Sequence, residues 1–227
     1  MVRKSIYASS FVFTLFSTIL NLVSLSRVDW VIYKAPASSG AYLKTSWGLF
    51  EVCNYTASGQ KQCRGFPKEG LDCTILVQNP DFTSWRRPFS LCDYYRTSGY
   101  AAQLAAVFGC AALISHIIIV ARGRRFRNHG WKVLLGFILA NAACQIVTTA
   151  FLVQMVRTRT NVFPVGSHVT TAFILSQVSW GTDILLFASL LAAGIIHSIT
   201  GSPDGYREIP STPPSRRSRR WSDDEDE

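Results

Sequence analysis

The chain has 227 residues and a formal charge of +9, with 48% hydrophobic and only 16% charged residues. An average soluble domain carries roughly 25% charged residues, and here the apolar residues gather into long blocks. That distribution excludes an ordinary soluble domain and asks for an integral membrane protein.

Residues 1–4 bring Arg3 and Lys4 to the front of residues 5–26, the first of four segments long enough to cross a bilayer. A bilayer core of about 30 Å takes about 20 helical residues. A basic start before an apolar run also describes a signal peptide, whose h-region usually spans about 7 to 15 residues and ends at a small-x-small site. This run is longer and no Ala-x-Ala follows it, so a retained helix is expected. Residues 27–98 form a long loop. Its stretches DWVIYKA, AYLKTSWGLFEVC, CTILVQ and WRRPFSLC alternate with turn formers such as Ser38-Ser39-Gly40, Ser58-Gly59 and Asn79-Pro80. Their β-branched and aromatic content reads as short antiparallel strands. So small a sheet is marginal alone, and cross-links and the membrane surface are expected to support it.

Four of the six cysteines, Cys53, Cys63, Cys73 and Cys92, lie in this loop, whereas Cys110 and Cys144 fall in apolar segments. Loop cysteines fit two disulfides in an oxidising compartment. Three connectivities are open; Cys53 with Cys63 and Cys73 with Cys92 are preferred because each pair closes a short loop. A zinc site is the rival reading, opposed by the lack of His in the loop and of any C-x-x-C spacing. Asn54-Tyr55-Thr56 is an N-glycosylation sequon. Trp85, Arg86 and Arg87 are the candidate contact patch, since aromatic-plus-Arg surfaces suit interfaces; a solvated turn is the alternative.

The next spans are residues 99–121 and 131–156, joined by a basic connection over 122–130 that holds Arg122, Arg124, Arg125 and Arg127 without an acid. Small residues recur every fourth position at Ala101, Ala105 and Gly109, and at Gly136, Ala140, Cys144 and Thr148, stripes that let helix backbones approach. A short loop over 157–168 leads to the fourth span, 169–198, and a polar, proline-containing tail over 199–227 is expected to be disordered. Ser215, Ser218 and Ser222 there are candidate phosphorylation sites, whose charge would weaken any hold on anionic lipid. The 27–98 loop dilutes nine Lys and Arg with six acids, so the acid-free basic connection decides the orientation. Both termini are expected in the cytosol and the long loop outside.

The order Trp30, Trp47-Gly48-Leu49-Phe50, Cys53, Cys63, with Arg96 before the second span, resembles the first-loop signature of the claudin and peripheral myelin protein superfamily. It looks most like the uncharacterised fungal four-span members. Phe50 stands where a Trp is usual, the loop is longer, and Cys73 and Cys92 are additional. The terminal Asp-Glu-Asp-Glu lacks the hydrophobic end that docks claudins on PDZ scaffolds. The resemblance implies an all-α transmembrane four-helix bundle with a small disulfide-stapled antiparallel β-sheet in the first extracellular loop, and it favours the plasma membrane. The arginine-rich pieces around Arg122 and Arg217 leave the endoplasmic reticulum as the alternative. From the residues themselves, Trp-Gly-Leu-Phe is expected to lay its rings at headgroup depth.

Ionisable groups inside a bundle are expensive and usually functional. Asp183 in the fourth span and His116 in the second are the candidates, with a mutual contact, a helix-bundle hydrogen bond, an interfacial position and a proton or ion relay all open. No phosphate cradle, His-Glu-x-x-His run or nucleophile elbow occurs, so no catalytic residue, cofactor or metal is assigned. The basic connection is better explained by orientation and anionic headgroups than by nucleic acid. The expected function is non-enzymatic: organisation of a membrane domain, adhesion, or an accessory role beside other membrane proteins or further copies. Transport of an ion or small solute through Asp183 is the alternative.

Overall fold

A computed structural model describes residues 2–36, 42–56, 58–68, 72–73, 91–121, 124–157 and 163–199. Trp85, Arg86 and Arg87, the serines Ser215, Ser218 and Ser222, and residues 74–78 of the CTILVQ stretch lie outside these residues. Four helices, α1 (Val2–Ser26), α2 (Leu91–Ala121), α3 (Arg124–Arg157) and α4 (Thr171–Ile199), are each long and apolar enough to cross a membrane. Among the described residues five strands accompany them: β1 (Val31–Pro36), β2 (Tyr42–Trp47), β3 (Glu51–Tyr55), β4 (Lys61–Gly65) and β5 (His168–Val169).

The helices close a ring in which α1 packs on α2 and α4, and α3 packs on the same two. Their faces are distributed for an apolar solvent. On α1, Ser10, Thr14, Ser17, Thr18, Asn21 and Ser24 are buried, while Val12, Phe13, Phe16, Ile19 and Val23 are exposed. Positions 10, 14, 17, 21 and 24 advance by four and three, the spacing of one helix face. On α4, Ser176, Ser179 and Asp183 point inward and Ile174, Val178 and Leu185 outward. Water would penalise that arrangement, because burying apolar area is the main drive for folding there. Lipid removes the penalty and leaves packing and polar contacts to hold helices together.

Apolar clusters fill the rest of the interior. Ala112, Ile119, Leu134, Leu135, Ile138, Leu186 and Leu190 form one, and Trp30, Val31, Trp47, Leu49, Val52, Phe66, Tyr95 and Phe163 are central to another beneath the sheet. The sheet order is β4-β3-β2-β1-β5, with every pair antiparallel. The first four strands come from the α1–α2 connection. The fifth comes from the α3–α4 connection and pairs Val169 with Val31 and His168 with Ile32. Thr170 secures that edge, its N–H donating to Trp30 O at 3.1 Å and its hydroxyl to the Asp29 carbonyl.

Several boundaries differ from the sequence-based expectation. AYLKTSWGLFEVC breaks at Gly48–Phe50 into β2 and β3, and strands β4 and β5 were not among the expected stretches. Leu91 and Cys92 of WRRPFSLC open α2, which begins before residue 99, and the basic connection over 122–130 is helical from Arg124 onward. Hydropathy marks only the lipid-crossing turns, whereas a helix can continue through polar residues once started; Asp93 in the first turn of α2 suits the positive helix end. Residues 168–169 pair as β5, so α4 starts at Thr171 instead of 169.

The small-residue stripes divide. Ala101 and Ala105 are buried, and a Cβ on Gly109 would lie 3.0 Å from Thr18 Oγ1, so α2 uses its stripe against α1. Gly136, at one end of the α3 stripe, meets nothing within 4 Å, whereas Thr148 at its other end is buried and exchanges hydrogen bonds with Ser98 of α2; further tight contacts fall at Gly130 against Ile119 and Gly194 against Trp131. Gly48 is the tightest against backbone: a Cβ there would sit 2.9 Å from Val28 Cα and 3.1 Å from Arg27 O. Gly48→Ala should therefore destabilise the detergent-solubilised protein by about 1–3 kcal/mol, the usual effect of overpacking. Gly136→Ala, in open space on a helix, should leave the thermal midpoint unchanged or slightly raised.

Candidate functional site

Two centres concentrate the distinctive side chains: an aromatic node joining sheet to bundle, and a buried polar group between helices. In the node, Trp30 is buried and its Nε1–H donates to Ser24 O at 2.9 Å, tying the sheet's first strand to the end of α1. Trp47 packs edge-on to Phe163 with ring centroids 5.4 Å apart. Tyr95 of α2 lies between them all. Its hydroxyl donates to Gly48 O at 3.2 Å, Phe66 meets its ring edge-on at 4.7 Å, and Phe163 stacks on it at 6.4 Å. Trp47 and Leu49 of the Trp-Gly-Leu-Phe knot are buried inside the protein, so whatever their depth they are covered by other side chains and not by headgroups. Of the four, only Phe50 is exposed, and its ring packs beside Gly99 of α2.

Covalent and ionic links brace the sheet. Cys53 is bonded to Cys63 across β3 and β4, and Cys73 to Cys92 at the start of α2. Glu51 lies close enough to Cys53 and Cys63 to suggest a metal-ligand cluster. Both sulfurs are consumed by the disulfide, so no thiolate is available. Arg64 grips Asp72 with two hydrogen bonds, Nη1–Oδ2 at 2.7 Å and Nη2–Oδ1 at 2.8 Å, and the Lys68 N–H adds a third at 2.9 Å. The Arg64 hydrogen bonds, more than any other cause, hold the Asp72 carboxyl below the usual carboxylate range, against an opposing effect of burial. Arg27 does the same for Asp29 through bonds of 2.7 Å each. Asn54 is exposed on β3 opposite Gln62, and Thr56 of its sequon hydrogen-bonds Ser58 at 2.9 Å. Arg96 is exposed on α2, and its neighbour Tyr95 occupies the central position of the node.

In the bundle, Asp183 and His116 do not pair. His116 Nε2 lies 2.9 Å from Ser10 Oγ and its Nδ1 lies 3.0 Å from Ala112 O. Asp183 Oδ2 accepts from Asn141 Nδ2 at 2.7 Å and from Gln145 Nε2 at 3.4 Å, and Gln145 Nε2 also donates to Asn141 Oδ1 at 3.1 Å. One turn along α4, Ser179 and Ser17 exchange hydrogen bonds, Ser179 Oγ donating to Ser17 O at 2.9 Å and Ser17 Oγ to Ser179 O at 3.2 Å. Nothing in this set is arranged as nucleophile and base. Its hydrogen bonds link α3 to α4 and α1 to α4.

Neither the protein-family models nor the curated proteins that were searched contain a match to this chain. Nothing in the sequence marks Tyr95, Phe66 and Phe163 as partners in the node, and Asn141 and Gln145, visible there as uncharged polar residues of the third span, were not joined to Asp183. The i, i+4 spacing of Asn141 and Gln145 on an apolar helix is the signal that could have joined them.

The Asp72 clamp carries a pH dependence with a defined sign. A carboxyl whose folded value is lowered stabilises the fold fully above its ordinary value near about 4 and loses that contribution as pH falls through the lower folded value. The thermal midpoint should drop on the acid side below about pH 4, and Asp72→Asn should flatten that limb while lowering the neutral plateau. Half-exposed Arg64 keeps the effect modest through solvent screening.

Proposed function

We propose that this chain is a claudin-like, non-enzymatic four-span membrane protein that organises a membrane domain, holding lateral or facing contacts through its sheet. The observation that carries the reading is the shared sheet: β5 from the α3–α4 connection pairs with β1 from the α1–α2 connection. Both connections at that end of the bundle are thereby fused into one platform, pinned to α2 by Tyr95 and by the Cys73–Cys92 bond. A cross-linked surface held over lipid-facing helices suits protein contact better than turnover. The Trp30, Trp47-Gly48-Leu49 and Cys53–Cys63 pattern supports the superfamily assignment.

In this reading the sheet is extracellular, Asn54 is available to glycosylation, and both termini and the basic start of α3 face the cytosol, where anionic headgroups attend Arg124, Arg125 and Arg127. The plasma membrane is the favoured location and the endoplasmic reticulum the alternative. Partners are other membrane proteins or further copies of the chain. Asp183 supports this reading as well as a transport one, because its Oδ2 is engaged by amides that bridge α3 and α4.

Proximity labelling and imaging of a tagged copy test the proposal. An organiser keeps its location and neighbours in Asp183→Asn, and loses neighbours when Cys53 and Cys63 are both replaced by Ser, a change that should also cost about 2–4 kcal/mol of stability. Unchanged neighbours in the cysteine variant, together with a solute flux abolished by Asp183→Asn, would replace the organiser with a transporter.

A further inference from the structure

Asp183 is 1% exposed, and only one of its oxygens is engaged. Asp183 Oδ1 is buried with no hydrogen-bond partner among the described residues. The facing residue on α3 repeats the pattern. Gln145 spends its Nε2 on Asn141 Oδ1 and Asp183 Oδ2, and its Oε1 is buried without a partner, in a residue that is also 1% exposed. Rotating that amide would set Oε1 against the Asn141 oxygen, so the network fixes which atom is left over.

Two acceptors are thus unused beside a carboxylate that has no cationic partner. Neither described salt bridge involves Asp183. His116 is engaged by Ser10 and the Ala112 carbonyl, Lys132 lies over the Trp131 ring, and Arg157 closes the far end of α3. From α1, Ser17 donates to Ser179 and receives from it, and its hydroxyl also lies near enough to act on the Asp183 carboxyl, bringing a dipole and no positive charge. A bare carboxylate inside a lipid-embedded bundle is strongly disfavoured, and each unpaired buried acceptor adds to the cost. One positive charge at the free carboxyl oxygen neutralises the carboxylate and engages its unused acceptor.

We infer that the Asp183 carboxylate, beside Gln145 of the facing helix, binds one small monovalent cation between α4 and α3. The occupant is either a proton, covalently on the carboxyl, or an alkali ion held by the carboxylate, with Gln145 Oε1 as a further unused acceptor on α3. The inference depends on the helices lying in lipid and is independent of what the sheet contacts. Asn21 Nδ2 and Trp180 Nε1 are buried donors without partners as well. Water relayed from them would satisfy the acceptors while leaving the carboxylate charged, and this is the competing outcome.

The test uses the full chain in lipid nanodiscs at neutral pH, first in choline buffer and then with sodium or potassium chloride added. Infrared spectra should show a protonated-carboxyl stretching band that is lost in Asp183→Asn and shifted in Gln145→Met if the occupant is a proton. An alkali occupant gives instead a rise of the thermal midpoint with sodium or potassium that both variants lose. Asp183→Glu, which keeps the acid and moves the band, serves if either variant does not fold. A wild-type spectrum without the protonated band, together with a midpoint indifferent to both salts, overturns the site.

Discussion

Helices in a bilayer gain nothing from hiding apolar side chains from lipid, so something other than the hydrophobic effect must select one packing among many. Here the selection falls to a face of α1 that carries hydroxyl and amide groups along its length. Ser24 donates to Ala172 O at 2.7 Å, Ser17 and Ser179 exchange bonds, and Ser10 meets His116. These contacts register α1 against α4 at two heights and against α2 at a third. Each is worth on the order of 0.6 kcal/mol by analogy with other membrane bundles, and their number and spacing matter more than any one. Thr14 and Thr18 return their hydroxyls to their own backbone, to Ser10 O and Thr14 O, so the stripe carries no stranded hydroxyl at those positions. The close approach of Gly109 to Thr18 shows the geometric benefit: small residues on the facing helix bring these polar atoms within reach.

The sheet depends on that register. Its first strand leaves α1 through Asp29 and Trp30, whose indole returns to Ser24, the same residue that holds α4. Tyr95 transmits the position of α2 to the turn between β2 and β3, and Thr170 transmits that of α4 to the sheet edge. Three helices therefore fix one platform through backbone acceptors, which side-chain changes on the sheet surface leave in place. A surface so held can vary in its exposed residues without losing its pose, a property that suits contact with partners.

Much of the helical layout was legible because long apolar blocks are a strong signal. The ends were less so: α2 starts at Leu91 and α3 at Arg124, where polar residues extend helices that hydropathy had already stopped counting. The disulfide register was open in the sequence and becomes definite only when β3 and β4 pair Cys53 opposite Cys63. The second-loop strand was invisible, since two residues such as His168 and Val169 carry no periodicity and acquire extended structure only from β1. Asp183 stood out as a lone acid, and Asn141 and Gln145 were visible as polar residues of a span, but nothing in the sequence joined those uncharged amides to the acid. The hydroxyl stripe of α1 was also overlooked, because Ser and Thr barely lower the hydropathy of a span even when they occupy one face.

Central to the account is the claim that α1 turns its hydroxyl face inward and its aromatic and aliphatic face to lipid. Spin labels placed singly at successive positions from Val12 to Ile19 in the nanodisc-embedded protein read this directly through their accessibility to oxygen and to a water-soluble nickel reagent. Oxygen accessibility should peak at Phe13 and Phe16, fall at Thr14 and Ser17, and repeat with the helical period, with little nickel accessibility anywhere. Maxima at Thr14 and Ser17, in either reagent, would contradict it.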